Sequence, residues 1–154
     1  MQYWRLLIDR WKLEEGSAIV EMTLLMPFVL LLLMGTIDFA RVFYTALAVT
    51  QAARAGAQYG AQNNETSQDS AGMQQAARNA AQDDIDTNSL TVTATNYCKC
   101  ANGTTANCLT GVCAEGSPQI YVQVTTTKAF QTLWNYPGVP HTVNLNRTAI
   151  MRVQ

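Results

Sequence analysis

Hydrophobic and polar positions follow three successive patterns along this chain. A polar leader over residues 1–16 gives way to an apolar run, Ala18 to Ile37, whose 20 residues carry one charge, Glu21. About 20 apolar residues cross the hydrocarbon core of a bilayer as a helix. Within the run, Leu24 to Leu33 holds nine apolar residues and Pro27. A proline there removes the usual partner of the Thr23 carbonyl, which predicts a helix bend. Beyond Ile37 the pattern becomes amphipathic. Phe39, Phe43, Ala46, Thr50, Ala53 and Ala57 recur at spacings of four and three, which is one helix face. Ala52, Gly56 and Gly60 form a row of small residues suited to close approach. An unbroken helix over 17–62 would be roughly 69 Å long at 1.5 Å per residue. That is about twice the hydrocarbon thickness, so its second half belongs in water or against protein. Asp38 and Arg41 are spaced to pair on the helix surface, at the point where it leaves lipid.

The stretch "NNETSQDS", Asn63 to Ser70, reads as a polar loop. Ser70 is placed to cap a second, alanine-rich helix that ends near Asp86. Its acidic end, Asp83, Asp84 and Asp86, opposes the helix dipole and predicts early fraying. After Thr87 the period changes to two. Leu90, Val92 and Ala94 alternate with threonines; Ile120, Val122 and Val124 alternate with Tyr121, Gln123 and Thr125. Val143, Leu145, Ala149, Met151 and Val153 share one parity, with Arg147 the exception. These are three strands with one buried face, and "NYPGVP", Asn135 to Pro140, is turn material.

The predicted architecture is α+β: a long N-terminal helix, transmembrane then amphipathic, a second short helix, and a three-stranded antiparallel sheet with a disulfide-stapled loop. Its parts are a leader over 1–16, a helix over 17–62 with the spanning part at about 18–37, and a domain over 63–154 containing a cysteine loop over 98–118.

Composition sharpens this picture. Hydrophobic residues make up 48% of the 154 and charged residues 14%, low for a soluble domain, with the apolar excess gathered near the N-terminus. A secretory signal peptide has an apolar run of about 7–15 residues followed by a small-residue cleavage site. This run is longer and continues into more helix, so an uncut anchor fits hydropathy better. Arg5, Arg10 and Lys12 precede the span, and Arg41 and Arg54 follow it. The three-to-two excess favours a cytoplasmic N-terminus. The net charge is −1, with no basic patch and no groove-reading motif, so nothing points to nucleic acid.

All four cysteines, Cys98, Cys100, Cys108 and Cys113, follow the span. Zinc pairs prefer C-x2–4-C. The C-x-C here fits poorly, and the one histidine, His141, is distant in sequence. Two disulfides on an exported domain are the preferred reading. Cys98–Cys100 would close a strained ring, which leaves nested pairing (Cys98–Cys113, Cys100–Cys108) or crossed pairing (Cys98–Cys108, Cys100–Cys113). Nested is favoured, because a returning loop brings its ends together first. Asn102-Gly103 then forms the tip turn. No nucleophile, phosphate-binding or metal-protease motif occurs, so no catalytic residue, metal or cofactor is expected.

"LEEGSAIVEM", Leu13 to Met22, ties these threads together. If the chain is cut after Gly16, Ser17 becomes the first residue and Glu21 the fifth. A short leader ending in glycine, an apolar helix and a glutamate at the fifth mature position resemble type IV pilin-like proteins. Gly16, Glu21, Pro27, the "DFAR" of Asp38 to Arg41 and the "QAARAGAQYGA" continuation further resemble the TadE-like family of the tight-adherence (Tad/Flp) pilus system; "AIMRV", Ala149 to Val153, also looks like the end of that family's domain. The resemblance implies a minor pilin or pseudopilin in the bacterial inner membrane, with its leader in the cytoplasm and its C-terminal domain outside. Its implied partners are a prepilin peptidase, other minor and major Tad pilins, the inner-membrane assembly platform and the lipid bilayer. By the same resemblance Gly16 and Ser17 flank the cut and Glu21 is the assembly residue. Met22 stands where major Flp pilins carry tyrosine, and the domain beyond the helix is larger than theirs; both features point to a minor subunit. The alternative is an uncut single-pass protein whose exported domain binds a ligand or metal.

Overall fold

The computed structural model describes the whole chain except Met1, Glu115, Tyr136 and Pro137, with side chains of the long helix described from Ala18 onward. The "NYPGVP" turn therefore lies partly outside the described residues. Two compact units, Met1–Arg41 and Val42–Gln154, divide the chain. Helix α1 covers Gln2–Gly60, α2 Asn64–Gln68 and α3 Ser70–Ala81. The strands are β1 (Leu90–Lys99), β2 (Thr105–Ala106), β3 (Gln119–Gln131) and β4 (Thr142–Arg152).

Helix α1 starts well before Ser17 and does not break at Gly16. An interior glycine costs a helix only about 1 kcal/mol, and the flanking residues suffice to carry the helix through it. In the first unit, every residue from Ala18 to Ile37 is exposed. Thr23 and Thr36 return their hydroxyls to carbonyls one turn back, Thr23 to Ile19 at 2.7 Å and Thr36 to Leu32 at 2.5 Å. The segment therefore presents only apolar surface and internally satisfied hydroxyls, apart from Glu21.

In the second unit, the C-terminal part of α1, α3 and one face of the sheet enclose the core. Val49, Ala52, Ala57, Met73, Ala77, Leu90, Val92, Val122 and Val124 are all buried there. The buried stripe on α1 is Thr45, Ala48, Val49, Ala52, Ala53, Gly56, Ala57 and Gly60. The face expected from sequence is thus rotated: Ala53 and Ala57 are buried, but Phe39 is 73% exposed and Phe43 59% exposed. Small residues decide which face packs, because they let neighbouring backbone come close. A Cβ on Gly56 would lie 2.8 Å from the Met73 carbonyl oxygen and 3.1 Å from Val124 Cγ1. Gly56→Val should therefore destabilise the domain by about 2 kcal/mol, read as a lowered thermal midpoint in detergent. Gly56→Ala should cost less, because alanine returns about 1 kcal/mol of helix propensity. A midpoint unchanged by valine would mean that the approach is loose.

The polar loop expected at Asn63 to Ser70 contains the short helix α2. Asn63 caps it, accepting from Thr66 N at 2.8 Å, while Thr66 Oγ1 accepts from Asn63 N at 3.1 Å. Asp69, not Ser70, caps α3: its Oδ1 accepts from Gly72 N at 2.8 Å and its Oδ2 from the Tyr59 hydroxyl at 3.0 Å. The Gly72 amide, and then the Tyr59 hydroxyl, hold the Asp69 carboxyl below the usual carboxylate range. The stabilisation from its ionised form is complete above the unfolded aspartate pKa of about 3.9. It is lost as pH falls through the lower folded value. Asp69→Asn keeps an acceptor but cannot titrate. Its midpoint should trail wild type by a few degrees at pH 5, and the gap should narrow progressively as pH falls below about 3.9. A gap independent of pH would show that the charge contributes nothing.

The sheet is antiparallel, in the order β2-β1-β3-β4. Sequence analysis anticipates the three long strands but not β2, two residues too short to show a period. Registers such as Val92↔Thr126 and Val124↔Ala149 put the apolar parities of the three strands on one face. Thr126 is the buried polar residue on that face. It is fully buried, and its hydroxyl donates to the Val49 carbonyl of α1 at 2.9 Å, so its hydrogen bond ties sheet to helix. Arg78 of α3 donates to the carbonyls of Thr87 and Leu90 at 3.2 and 3.1 Å, fixing the entry to β1.

The disulfides are crossed: Cys98 pairs with Cys108 and Cys100 with Cys113, at Cα separations of 5.2 and 5.6 Å. This corrects the nested expectation, and β2 supplies the reason. The chain turns at Asn102-Gly103, where Gly103 has φ +86° and its N–H donates to the Cys100 carbonyl at 2.9 Å. The returning strand sets Cys98 opposite Ala106 and bonds Cys100 N to the Thr104 carbonyl. Cys100 is thus occupied near the tip, and Cys108 returns beside Cys98. With all four cysteines in disulfides, none is a zinc ligand.

Candidate functional site

The residues singled out for processing and assembly fall in the first unit, on one continuous helix. Gly16 and Ser17 belong to α1, but their side chains lie outside the described residues. Glu21 follows Ser17 by four positions, about 6 Å along the helix axis. Positions four apart share one helix face, so Glu21 lies on the same face as position 17. Glu21 is exposed, and among the described residues it forms no ion pair. It is the one carboxylate on the apolar surface from Ala18 to Ile37.

Pro27 lies inside α1, and the helix continues through it. Four positions earlier, the Thr23 hydroxyl is committed to Ile19, so it does not compensate for the missing proline N–H. At the end of the apolar segment Asp38 and Arg41 form an ion pair, Arg41 Nη1 to Asp38 Oδ1 at 3.2 Å. The Asp38 side chain is only 7% exposed, whereas Arg41 is 44% exposed. A cation held against so covered a carboxylate offsets part of its desolvation cost. Sequence spacing was enough to find this pair.

In the second unit the structure brings the cysteine loop to one end of the sheet, where Cys98 closes the core face of β1. Among the described residues, no group of three or more His, Cys, Asp or Glu side chains is placed to hold a metal ion. One feature escaped the sequence reading, a cavity of about 290 Å³ lined by Asn64, Gln68, Asn96, Asn107 and Ile120. Three asparagines on three segments, α2, β1 and the cysteine loop, carry no linear signal; they meet only once α2 and the cysteine loop are in place.

α1 is long and apolar enough to cross a membrane, which fits a single-pass protein. No curated protein and no solved structure gave a match. A family model does match, the one described as TadE-like protein, over residues 16–58. It begins at Gly16, takes in Glu21, Pro27, Asp38 and Arg41, and stops short of the α3 and sheet region. It associates the chain with Tad pilus proteins, a structural family rather than an enzymatic one. Residues 16–58 of this chain are thus similar to the TadE-like family.

Proposed function

We propose that the chain is a minor pilin-like subunit, a pseudopilin, of a type IVb Tad/Flp pilus. In this reading prepilin peptidase cuts after Gly16, and the mature protein acts in pilus initiation, assembly or adhesion. It sits in the bacterial inner membrane with its N-terminus cytoplasmic and the domain beyond Arg41 outside. Asp38 and Arg41 mark the exit from lipid, Pro27 bends the spanning helix, and Glu21 is the assembly residue. The supporting observation is the family match that opens at Gly16, with a single carboxylate five residues later on an otherwise apolar, exposed helix. Two disulfides in the domain suit an oxidising compartment.

One observation favours the second reading, an uncut single-pass protein with a ligand-binding exported domain: α1 runs through Gly16 unbroken. A peptidase needs an extended backbone, so cleavage requires the helix to open locally. Glycine is where opening costs least. The two readings separate on association. Tagged protein extracted from the envelope should bring down other Tad pilins and the inner-membrane platform. Extraction as a lone species from cells assembling the pilus would favour the second reading.

A further inference from the structure

Along the core face of β1 the residues run Leu90, Val92, Ala94, Asn96, Cys98. Leu90, Val92 and Cys98 are buried, but Asn96 is exposed. The register sets Asn96 opposite Val122 and Cys98 opposite Ile120. Here the core face runs out from under the helices, because α1 has ended at Gly60. Asn64 and Gln68 of α2 stand on one side of the opening, and Asn107 and Leu109 of the cysteine loop on another. Together with Asn96 and Ile120 they line the 290 Å³ cavity. The Cys98–Cys108 disulfide ties the loop wall to the sheet.

Asn96 is the polar member of this parity within β1, as Thr126 and Lys128 are in β3 and Arg147 in β4, and it is the one of them that lines the cavity. Breaks in such a pattern concentrate at functional sites. The Asn96 side chain makes no hydrogen bond among the described residues, so its donor and acceptor remain available. Asn107 Oδ1 already accepts from Leu109 N at 2.8 Å and Thr110 N at 3.2 Å, which leaves its NH2 to donate. Asn64 Oδ1 accepts from Gln68 Nε2 at 3.5 Å, which leaves Gln68 Oε1 to accept. Among the described residues, no Asp, Glu, Lys, Arg or His lines the cavity, which favours an uncharged ligand over an ionic one.

We infer that this cavity binds an uncharged saccharide unit. Sugar hydroxyls both donate and accept, which matches fixed amides of both kinds. The C–H faces of a sugar ring match Ile120 and Leu109, the latter 91% exposed. A cavity of 290 Å³ is at the small end for ligand sites, sized for a terminal unit rather than a long segment. The disulfide holds the wall in place before binding, which lowers the ordering cost. This inference goes beyond the proposed pilin role and does not depend on cleavage at Gly16.

The test uses the full chain, solubilised in a detergent without a sugar head group, against an array of uncharged glycans alongside sialylated and sulfated ones. Saturable binding of at least one uncharged glycan is expected. Asn96→Ala and Gln68→Ala should each weaken it about 5- to 10-fold, the loss of roughly one hydrogen bond. Thr93→Ala, on the opposite face of the sheet, should leave it unchanged. Amide NMR spectra of each variant establish that the domain is folded, and shifts on titration should centre on Asn64, Asn96 and Asn107. No saturable binding of any uncharged glycan would overturn the inference. So would binding confined to charged glycans, or binding that folded Asn96→Ala and Gln68→Ala retain in full.

Discussion

Glu21→Ala is expected to leave membrane insertion intact, or improve it, while sharply reducing incorporation into a pilus or pilus complex. An ionised carboxylate inside a spanning helix costs about 2.5–3.5 kcal/mol on insertion scales. Alanine removes that cost, so insertion has nothing to lose. Cleavage after Gly16 would create an ammonium on Ser17, one helical turn back on the same helix face as Glu21. The two charges can meet within a subunit, or between neighbours whose helices are staggered along the membrane normal. At 4 Å and an effective dielectric of about 20, one contact is worth roughly 4 kcal/mol before desolvation. That is comparable to the insertion cost, so pairing could offset it and set the axial register between subunits. Before cleavage Ser17 carries an amide, and the partner charge is missing. Glu21→Asp should be intermediate, because the charge remains on a shorter arm. Membrane fractionation and co-purification with pilus components measure the two effects separately. Normal co-purification of the alanine variant would reduce Glu21 to an interfacial carboxylate.

Removing the Cys98–Cys108 disulfide by paired alanine substitution is expected to cost about 3 kcal/mol. For a domain of this size that lowers the melting midpoint on the order of 10–20 °C. Cys98 is only 1% exposed, so the change also leaves a small void on the core face, and the β1–β2 end of the sheet loses its tie to the loop. Removing Cys100–Cys113 should have the smaller effect, because that bridge joins residues beyond the end of β1. The sequence provides its own test of connectivity. Without reduction, trypsin cuts after Lys99 and chymotrypsin after Tyr97 and Leu109, separating a Cys98 peptide, a peptide holding Cys100 and Cys108, and a Cys113 peptide. Crossed pairing yields all three joined. Nested pairing would release the Cys98 and Cys113 peptides together, with the middle peptide closed on itself.

What the sequence revealed follows from how each feature is encoded. The three long strands were legible because one face of the sheet is buried and the side-chain period is two, so Leu90, Val92, Val122, Val124 and Leu145 mark the face by themselves. The Asp38–Arg41 pair was legible because a helix fixes the distance between positions three apart. The buried stripe on α1 was legible in part: the small-residue row of Ala52, Gly56 and Gly60 packs, and of the amphipathic face Ala53 and Ala57 are buried while Phe39 and Phe43 remain exposed. Glycines at spacing four gave that signal, yet they say only that something comes close, not that it is Met73 and the sheet. The cap at Asp69 and helix α2 were missed because a polar run reads equally as loop or as caps. The disulfide pairing turned on a two-residue strand that no periodicity can show. Glu21 remained conspicuous throughout, since a charge in an apolar run needs no three-dimensional context to stand out.

The most direct test of the account is the mature N-terminus of the protein isolated from cells with an active prepilin peptidase, measured by intact-mass and terminal-peptide mass spectrometry. A chain beginning at Ser17 is the predicted result, and blocking the peptidase should restore the leader. An intact Met1 in cells that assemble the pilus normally would contradict processing at Gly16, and with it the pairing of a new Ser17 ammonium with Glu21.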